Sequence, residues 1–156
     1  MPVIFARVDD RLIHGQIVQA WLPELNIDEV LIPFASSSTR PINKKLLRLS
    51  LPFEYDLTIL EPKDCVRYMD NSKKRILLLM SSLQDLKPLL EDGLSIKSLN
   101  IGGMHFKEGA KKLADHVFLD GQDQLTLKIL NDLGIDIETR AVPNSKSISV
   151  KEILES

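Results

Sequence analysis

The chain has 156 residues, 44% of them hydrophobic and 27% charged, with 20 basic and 22 acidic residues for a formal charge of -2. That is enough apolar material for one real core, and the charge balance gives no pull toward nucleic acid or an anionic membrane. The one cysteine, Cys65, excludes an internal disulfide and reads as a small buried hydrophobe, and the densest apolar run, Ile76–Met80, is far short of the roughly 20 residues that span a bilayer.

Taken in chain order, short apolar runs alternate with helical patterns. Val3–Val8 reads as a strand, and the start Met1-Pro-Val-Ile-Phe-Ala-Arg lacks the apolar stretch of a signal peptide. Gly15–Leu22 reads as a helix with Ile17, Val18, Trp21 and Leu22 on one side, stopped by Pro23. Glu29–Ile32 is a strand ended by Pro33. Pro41–Leu49 is a helix burying Leu46, Leu47 and Leu49. Tyr55–Leu60 alternates as a strand, and Pro62 opens a helix to about Met69. Arg75–Met80 is a strand of the kind buried on both faces.

Ser82–Glu91 is a capped helix ending near Gly93. Ser98–Ile101 and Val117–Leu119 are strands, the first running into Gly102-Gly103. Lys107, Lys111 and Lys112 read as a solvated face. Gln122–Leu133 is an amphipathic helix with Leu125, Ile129, Leu130 and Leu133 on its buried side and Gly134 as its stop. Ile135–Val142 is the last strand, and Ser149-Val-Lys-Glu152 has the form of a capping box opening a short helix. The alternation predicts a single α/β domain over residues 1–156, with an open, mostly parallel sheet and helices on both faces. Ligands of such folds sit beyond the carboxyl ends of the strands, which singles out the loops Asp9–His14, Pro33–Arg40, Met80–Ser82 and Ile101–His105.

The segment Arg7-Val-Asp-Asp-Arg-Leu-Ile-His-Gly-Gln16 concentrates the chemistry. A histidine just ahead of a helix is placed to carry a phosphoryl group, because free backbone N–H groups favour an anion there. Gly15 would let backbone approach that anion, Arg11 or Arg7 would stabilise its charge, and Asp9 or Asp10 would hold the ring or an arginine. His105 and His116, eleven residues apart, fit no local zinc spacing and are not expected to bind metal. The chain carries no phosphate-binding P-loop, dinucleotide fingerprint, G-x-S-x-G elbow or H-E-x-x-H pair.

The run Ala6-Arg-Val-Asp-Asp-Arg-Leu-Ile-His-Gly-Gln-Ile-Val18 closely resembles the active-site segment of mannose/sorbose-type IIB components of the bacterial sugar phosphotransferase system (PTS). Leu99-Asn-Ile-Gly-Gly-Met104 and the placing of strand Ile76–Leu79 resemble that family too. The resemblance implies a cytoplasmic protein-histidine–sugar phosphotransferase that touches a membrane only through its partners. Its phosphoryl group would come from a phosphohistidine on a IIA protein and pass to a sugar held by membrane IIC and IID components. Carried over by motif position, the acceptor is His14 through Nδ1, with Arg11 assisting transfer and Arg7 as a second candidate. Gly102 and Gly103 would lie in a loop near the phosphate, Asp9, Asp10 and Gln16 match the motif, and no metal or dissociable cofactor is required. Where many members carry an acidic loop after the second strand, this chain has Pro33-Phe-Ala-Ser-Ser-Ser-Thr-Arg40, and Met80-Ser-Ser82 is also unusual. That difference keeps a second reading in view, a regulatory module that accepts phosphate without transporting sugar. The sequence leaves the sugar and any homo-oligomer undetermined.

Overall fold

The computed structural model describes residues 3–154. Its strands are β1 (Val3–Asp9), β2 (Glu29–Pro33), β3 (Asp56–Leu60), β4 (Ile76–Met80), β5 (Ser98–Gly103), β6 (Lys111–Ala114), β7 (Val117–Leu119), β8 (Asp136–Thr139) and β9 (Ile148–Ser149). Its helices are α1 (Lys44–Ser50), α2 (Pro62–Asp70), α3 (Leu86–Glu91), α4 (Gly121–Asp132) and α5 (Val150–Leu154). A π-helical stretch, Ile17–Trp21, and a 3₁₀ turn, Leu83–Asp85, complete the order. Seven strands form one sheet in the order β3-β2-β4-β1-β5-β8-β9, parallel throughout except for the β8–β9 pair. The expected single α/β domain with a mostly parallel sheet is the observed one.

Strand alternation divides the core between the two faces of the sheet. Ala6, Val8, Leu31, Ile76, Leu78 and Met80 point to one face, where α2, α3, α4 and α5 contribute Cys65, Met69, Leu86, Leu89, Leu127, Leu130 and Val150. Leu77, Leu79, Val30 and Ile32 point to the other, against Ile17, Trp21, Leu22, Leu47 and Leu51. Every residue of β4 is fully buried, as expected for a central parallel strand. Each such aliphatic side chain contributes about 1.5–3 kcal/mol by leaving water. Cys65 is buried too, and burial pushes its thiol up to about 12, which suits an inert position.

Several boundaries differ from the sequence expectation for local reasons. Helix α1 starts at Lys44, not Pro41, because the Asn43 side chain accepts from Leu46 N–H and caps it there. Of its three leucines only Leu47 is buried, while Leu46 and Leu49 are exposed. Helix α4 is rotated from the expected face: Asp123, Thr126, Leu127 and Leu130 are buried, while Leu125, Ile129 and Leu133 face outward. A reciprocal Asp120–Asp123 capping box fixes where that helix begins, and Gln84 bonds both Thr126 and Asp123 to set its rotation. Lys107, Lys111 and Lys112 are exposed as expected, the latter two on strand β6 of a β6–β7 hairpin, and Lys107 is paired with Asp120 within the chain. Strand β8 stops at Thr139, three residues before Val142, and the short strand β9 was not anticipated. The final helix is present, but the Glu152 side chain that would close its capping box lies outside the described side chains, and Met1 and Pro2 lie outside the described residues.

Candidate active site

The segment Asp10–Gly15 leaves the carboxyl end of β1 and leads into the π-helical stretch. Its conformation is held by burial and by one unusual backbone angle. Leu12 and Ile13 are about 5% exposed and plug into the core, and Leu12 has a φ of 57°, a left-handed conformation costly for a branched residue. The helical stretch follows with Leu22 N–H donating to the Ile17 carbonyl at 2.9 Å, five residues back. That wider turn buries Ile17, Trp21 and Leu22 together against the sheet.

At the centre lies Asp9, fully buried. Arg7 and Asp9 are two residues apart on one strand and therefore share a face. The Asp9 carboxylate accepts from Arg7 Nη2 at 3.0 Å, from Arg11 Nε and Nη2 at 3.1 Å each, from the Arg11 backbone N–H at 3.1 Å, and lies 3.0 Å from His14 Nε2. Burial alone would push this carboxyl up. The hydrogen bonds from His14 and Arg11 and the charge of Arg7 outweigh it and hold Asp9 well below the ordinary carboxylate range. An ionised Asp9 can only accept, so His14 Nε2 carries the hydrogen and Nδ1 is left with its lone pair. The Gln16 backbone N–H points at Nδ1 from 3.4 Å, and Gln16 Oε1 accepts from Arg11 Nη2 at 2.9 Å. His14 is 17% exposed and Arg11 37%, so both reach solvent from this buried base.

Arg7 takes a different position from the one the sequence suggested. It is fully buried, and its terminal nitrogens are committed to Asp9, the Asn100 side chain and the carbonyls of Arg140 and Ala141. Burial lowers its pKa, and the Asp9 charge opposes that effect. Two guanidinium groups lie over the Trp21 ring, that of Arg7 5.2 Å and that of Arg140 5.3 Å from its centroid, and Trp21 Nε1 donates to the Ala141 carbonyl at 2.8 Å. The carbonyls of Arg140 and Ala141 turn to these donors, which is why β8 ends before them. Arg7 therefore braces Asp9 and is not available to an incoming phosphate.

Gly102 and Gly103 are the last residues of β5 and not part of a loop. A Cβ on Gly102 would lie 1.9 Å from Arg7 Nη2, and one on Gly103 would lie 3.0 Å from Asp9 Oδ1 and 3.2 Å from Arg11 Nη2. Both glycines thus make room for the charged side chains of β1 and its loop. Gly15 faces open space beside His14. Among the described residues the Asp10 carboxylate makes no hydrogen bond or ion pair with His14 or an arginine; its Oδ2 accepts from the His105 backbone N–H at 2.7 Å and pairs with His105 Nδ1 at 2.6 Å. Asn100, Trp21 and Arg140 carried no site role in the sequence reading. An asparagine two residues before the double glycine, inside an apolar strand pattern, is the available sequence signal for Asn100.

The family model described as "PTS system sorbose subfamily IIB component" matches residues 3–156. The sorbose-specific EIIB component of the PTS of Lacticaseibacillus casei is 31% identical over 153 residues, covering 96% of this chain and 93% of that protein. The mannose-specific EIIAB component of the Escherichia coli K12 PTS is 30% identical over 99% of this chain, which spans about half, 49%, of that protein's length. Among solved structures, the IIBSor domain of the sorbose permease from Klebsiella pneumoniae superposes with a TM-score of 0.89 at 28% identity, covering 99% of this chain and 97% of that one.

Proposed function

The chain belongs to the sorbose-type IIB family of the phosphotransferase system, and from that membership we propose that it carries a phosphoryl group on Nδ1 of His14. The observation that supports this atom is the 3.0 Å contact between His14 Nε2 and the buried Asp9 carboxylate. It reserves the proton for Nε2 and turns the Nδ1 lone pair outward as the nucleophile. As the P–N bond of a donor phosphohistidine breaks, the new P–Nδ1 bond forms and the ring gains positive charge, which Asp9 balances. In the second step a sugar hydroxyl oxygen bonds to phosphorus as the P–Nδ1 bond breaks, the electron pair of that bond returns to Nδ1, and the hydroxyl proton leaves to solvent.

Arg11 is the group placed to meet the transferring phosphoryl oxygens. Its guanidinium is anchored on Asp9 and Gln16 yet remains partly exposed. Phosphoryl transfer asks the protein mainly for position and charge, and the Gln16 N–H aimed at Nδ1 supplies a further donor. Arg7, Gly102 and Gly103 act through Asp9 as positioning residues. The donor is a IIA protein, and the acceptor is a sugar delivered by membrane IIC and IID components. Among the described residues no helix is long and apolar enough to cross a membrane, so sugar passage falls to those partners.

The test is intact-protein mass spectrometry after incubation with phosphoenolpyruvate, the general phosphotransferase proteins and a matching IIA. One acid-labile phosphate on the wild type and none on His14→Ala supports the reading. Phosphate retained on His14→Ala overturns it.

A further inference from the structure

One stretch of the surface combines large exposed apolar side chains with unopposed positive charge. From Arg40 to Phe53 the chain holds four of its 20 basic residues and none of its 22 acidic ones, a segregation that the formal charge of -2 conceals. In and beside α1, Leu46 is 59% exposed, Leu49 76% and Phe53 88%, while Leu47 and Leu51 anchor the helix in the core. Single exposed leucines are ordinary. Here Lys45, Leu46 and Leu49 are one helical turn apart and adjoin on the outward side. Lys44 and Lys45 are exposed and in no ion pair among the described residues. Arg48 donates to the Tyr55 carbonyl at 2.9 Å and stands 5.6 Å from the centroid of the Phe53 ring, which holds that ring beside the helix. Two acids flank the patch: Glu54 follows Phe53, and Glu61, whose charge reaches Lys44, accepts from the Ser36 N–H at 2.7 Å.

The patch starts at the end of the sheet that carries His14. Strands β2 and β3 are parallel, so α1 between them runs back along the sheet from the carboxyl end of β2. Arg40, Pro41 and Ile42 line the same cavity as Asp10 and Leu12 of the His14 segment. A surface that covers α1 therefore borders the His14 loop.

We infer that α1 and Phe53 make a contact with an anionic lipid surface, with Leu46, Leu49 and Phe53 entering the headgroup boundary and Arg40, Lys44 and Lys45 meeting lipid phosphates. Apolar side chains flanked by bases are the composition of interfacial segments, whose binding adds buried apolar area to attraction for anionic headgroups. A second copy of the chain, docked through the same patch about a twofold axis, would set bases against bases. Cytoplasmic loops of membrane proteins carry an excess of Lys and Arg, so membrane partner proteins repel this patch where the lipid around them attracts it. The contact goes beyond the phosphocarrier reading and stands without it. Joined to that reading, it holds the His14 loop at the membrane surface, beside the components that deliver the sugar.

The experiment is flotation of the whole chain with vesicles of phosphatidylcholine alone and of phosphatidylcholine mixed with phosphatidylglycerol, at low and at raised salt. The expected result is flotation with the anionic vesicles only, weakened by salt. Each base near an anionic surface strengthens partitioning about fivefold, so Lys44→Glu with Lys45→Glu should lower it about 30-fold or more. Leu49→Gln with Phe53→Gln keeps the charge and should lower it about tenfold. All four are exposed side chains, so both variants should keep the wild-type unfolding midpoint. Loss of ¹H–¹⁵N NMR signals confined to residues 40–53 on adding anionic nanodiscs locates the contact without any variant. Absence of flotation with anionic vesicles at low salt overturns the inference, and binding of an oligoglutamate peptide in that case marks the patch as a socket for an acidic protein. Flotation unchanged in both variants overturns it by placing the contact on another surface. Flotation lost in the lysine variant and untouched in the apolar one overturns the entry of Leu49 and Phe53 into the lipid. Phosphate uptake by His14, measured without vesicles, separates the two readings: flotation without uptake sinks the carrier reading alone, and uptake without flotation sinks the lipid contact alone.

Discussion

Nε2 of His14 stands 3.0 Å from Oδ2 of Asp9, and the same oxygen also accepts from Arg7 and Arg11. One carboxylate therefore sets the tautomer of the histidine, anchors the arginine beside it and neutralises the arginine beneath it. Asp9→Asn keeps the shape and removes the charge. Its amide can present NH₂ to Nε2 and so favour the tautomer with hydrogen on Nδ1. We expect the rate of phosphoryl uptake to fall by about 10²-fold or more. Rapid-quench measurement of uptake, with ¹⁵N chemical shifts of the His14 ring as the tautomer readout, checks both parts.

Arg7 and Arg11 share Asp9 but differ in burial, so their variants separate. Arg11→Ala removes a partly exposed side chain from beside the transferring group, and onward transfer should slow by about 10²–10³-fold with little loss of stability. Arg7→Ala leaves the buried Asp9 without its buried counter-charge and should cost about 3–5 kcal/mol of stability. Denaturant unfolding of the two variants beside their transfer rates tests the division. Equal unfolding midpoints would refute it.

The two glycines at the end of β5 predict a graded series. In Gly102→Ala the new methyl falls on the Arg7 guanidinium, which cannot retreat without giving up Asn100, Arg140 and Ala141. Overpacking of this kind costs about 1–3 kcal/mol, and the displaced Arg7 adds to it. In Gly103→Ala the contacts are 3.0 Å and longer, so a shift of a few tenths of an ångström relieves them. That variant should keep most of its stability and lose transfer rate, because the atoms that move belong to Asp9 and Arg11. Thermal unfolding and uptake kinetics of both variants decide the order.

Much of this arrangement was legible in the sequence. Period-two and period-3.6 patterning located the sheet strands from β1 through β5 and nearly all the helices, and the residues between Arg7 and Gln16 announced a charged centre at the end of the first strand. What patterning could not show was which of several partners each charge would take. Arg7 and Arg11 look equivalent in sequence; strand alternation and the Gly102 gap bury one of them. Asp9 and Asp10 are neighbours, yet Asp9 ends β1 and meets His14 while Asp10 opens the loop and meets His105. In α4 the leucine spacing favoured a stripe through Leu125, Ile129 and Leu133, but the capping box and the Gln84 bonds rotate it outward. The prediction that follows is direct. Leu127→Ala and Leu130→Ala should each cost about 2–5 kcal/mol, while Leu125→Gln and Ile129→Gln should stay within about 0.5 kcal/mol of wild type in urea unfolding.

Asp9 and Asp85 should shape acid stability with opposite signs. The folded pKa of Asp9 is depressed, so its contribution is present above the unfolded value near 3.9 and is lost as pH falls below it toward the folded value. The folded pKa of Asp85 is raised by burial, so the folded state binds that proton more tightly and stability on its account falls as pH rises from about 3.9 through the folded value. Asp85→Asn removes the buried charge while its amide oxygen still accepts from Ser81. It should be more stable than wild type at neutral pH, with the difference vanishing in acid. Asp9→Asn should be less stable than wild type at neutral pH, and that gap should close as the solution is acidified below the ordinary carboxylate range. Urea unfolding of the three proteins across pH 2–8, a window set by those reference values, reads both trends. A stabilisation of Asp85→Asn that persisted unchanged into acid would show that its source is packing and not the carboxylate charge.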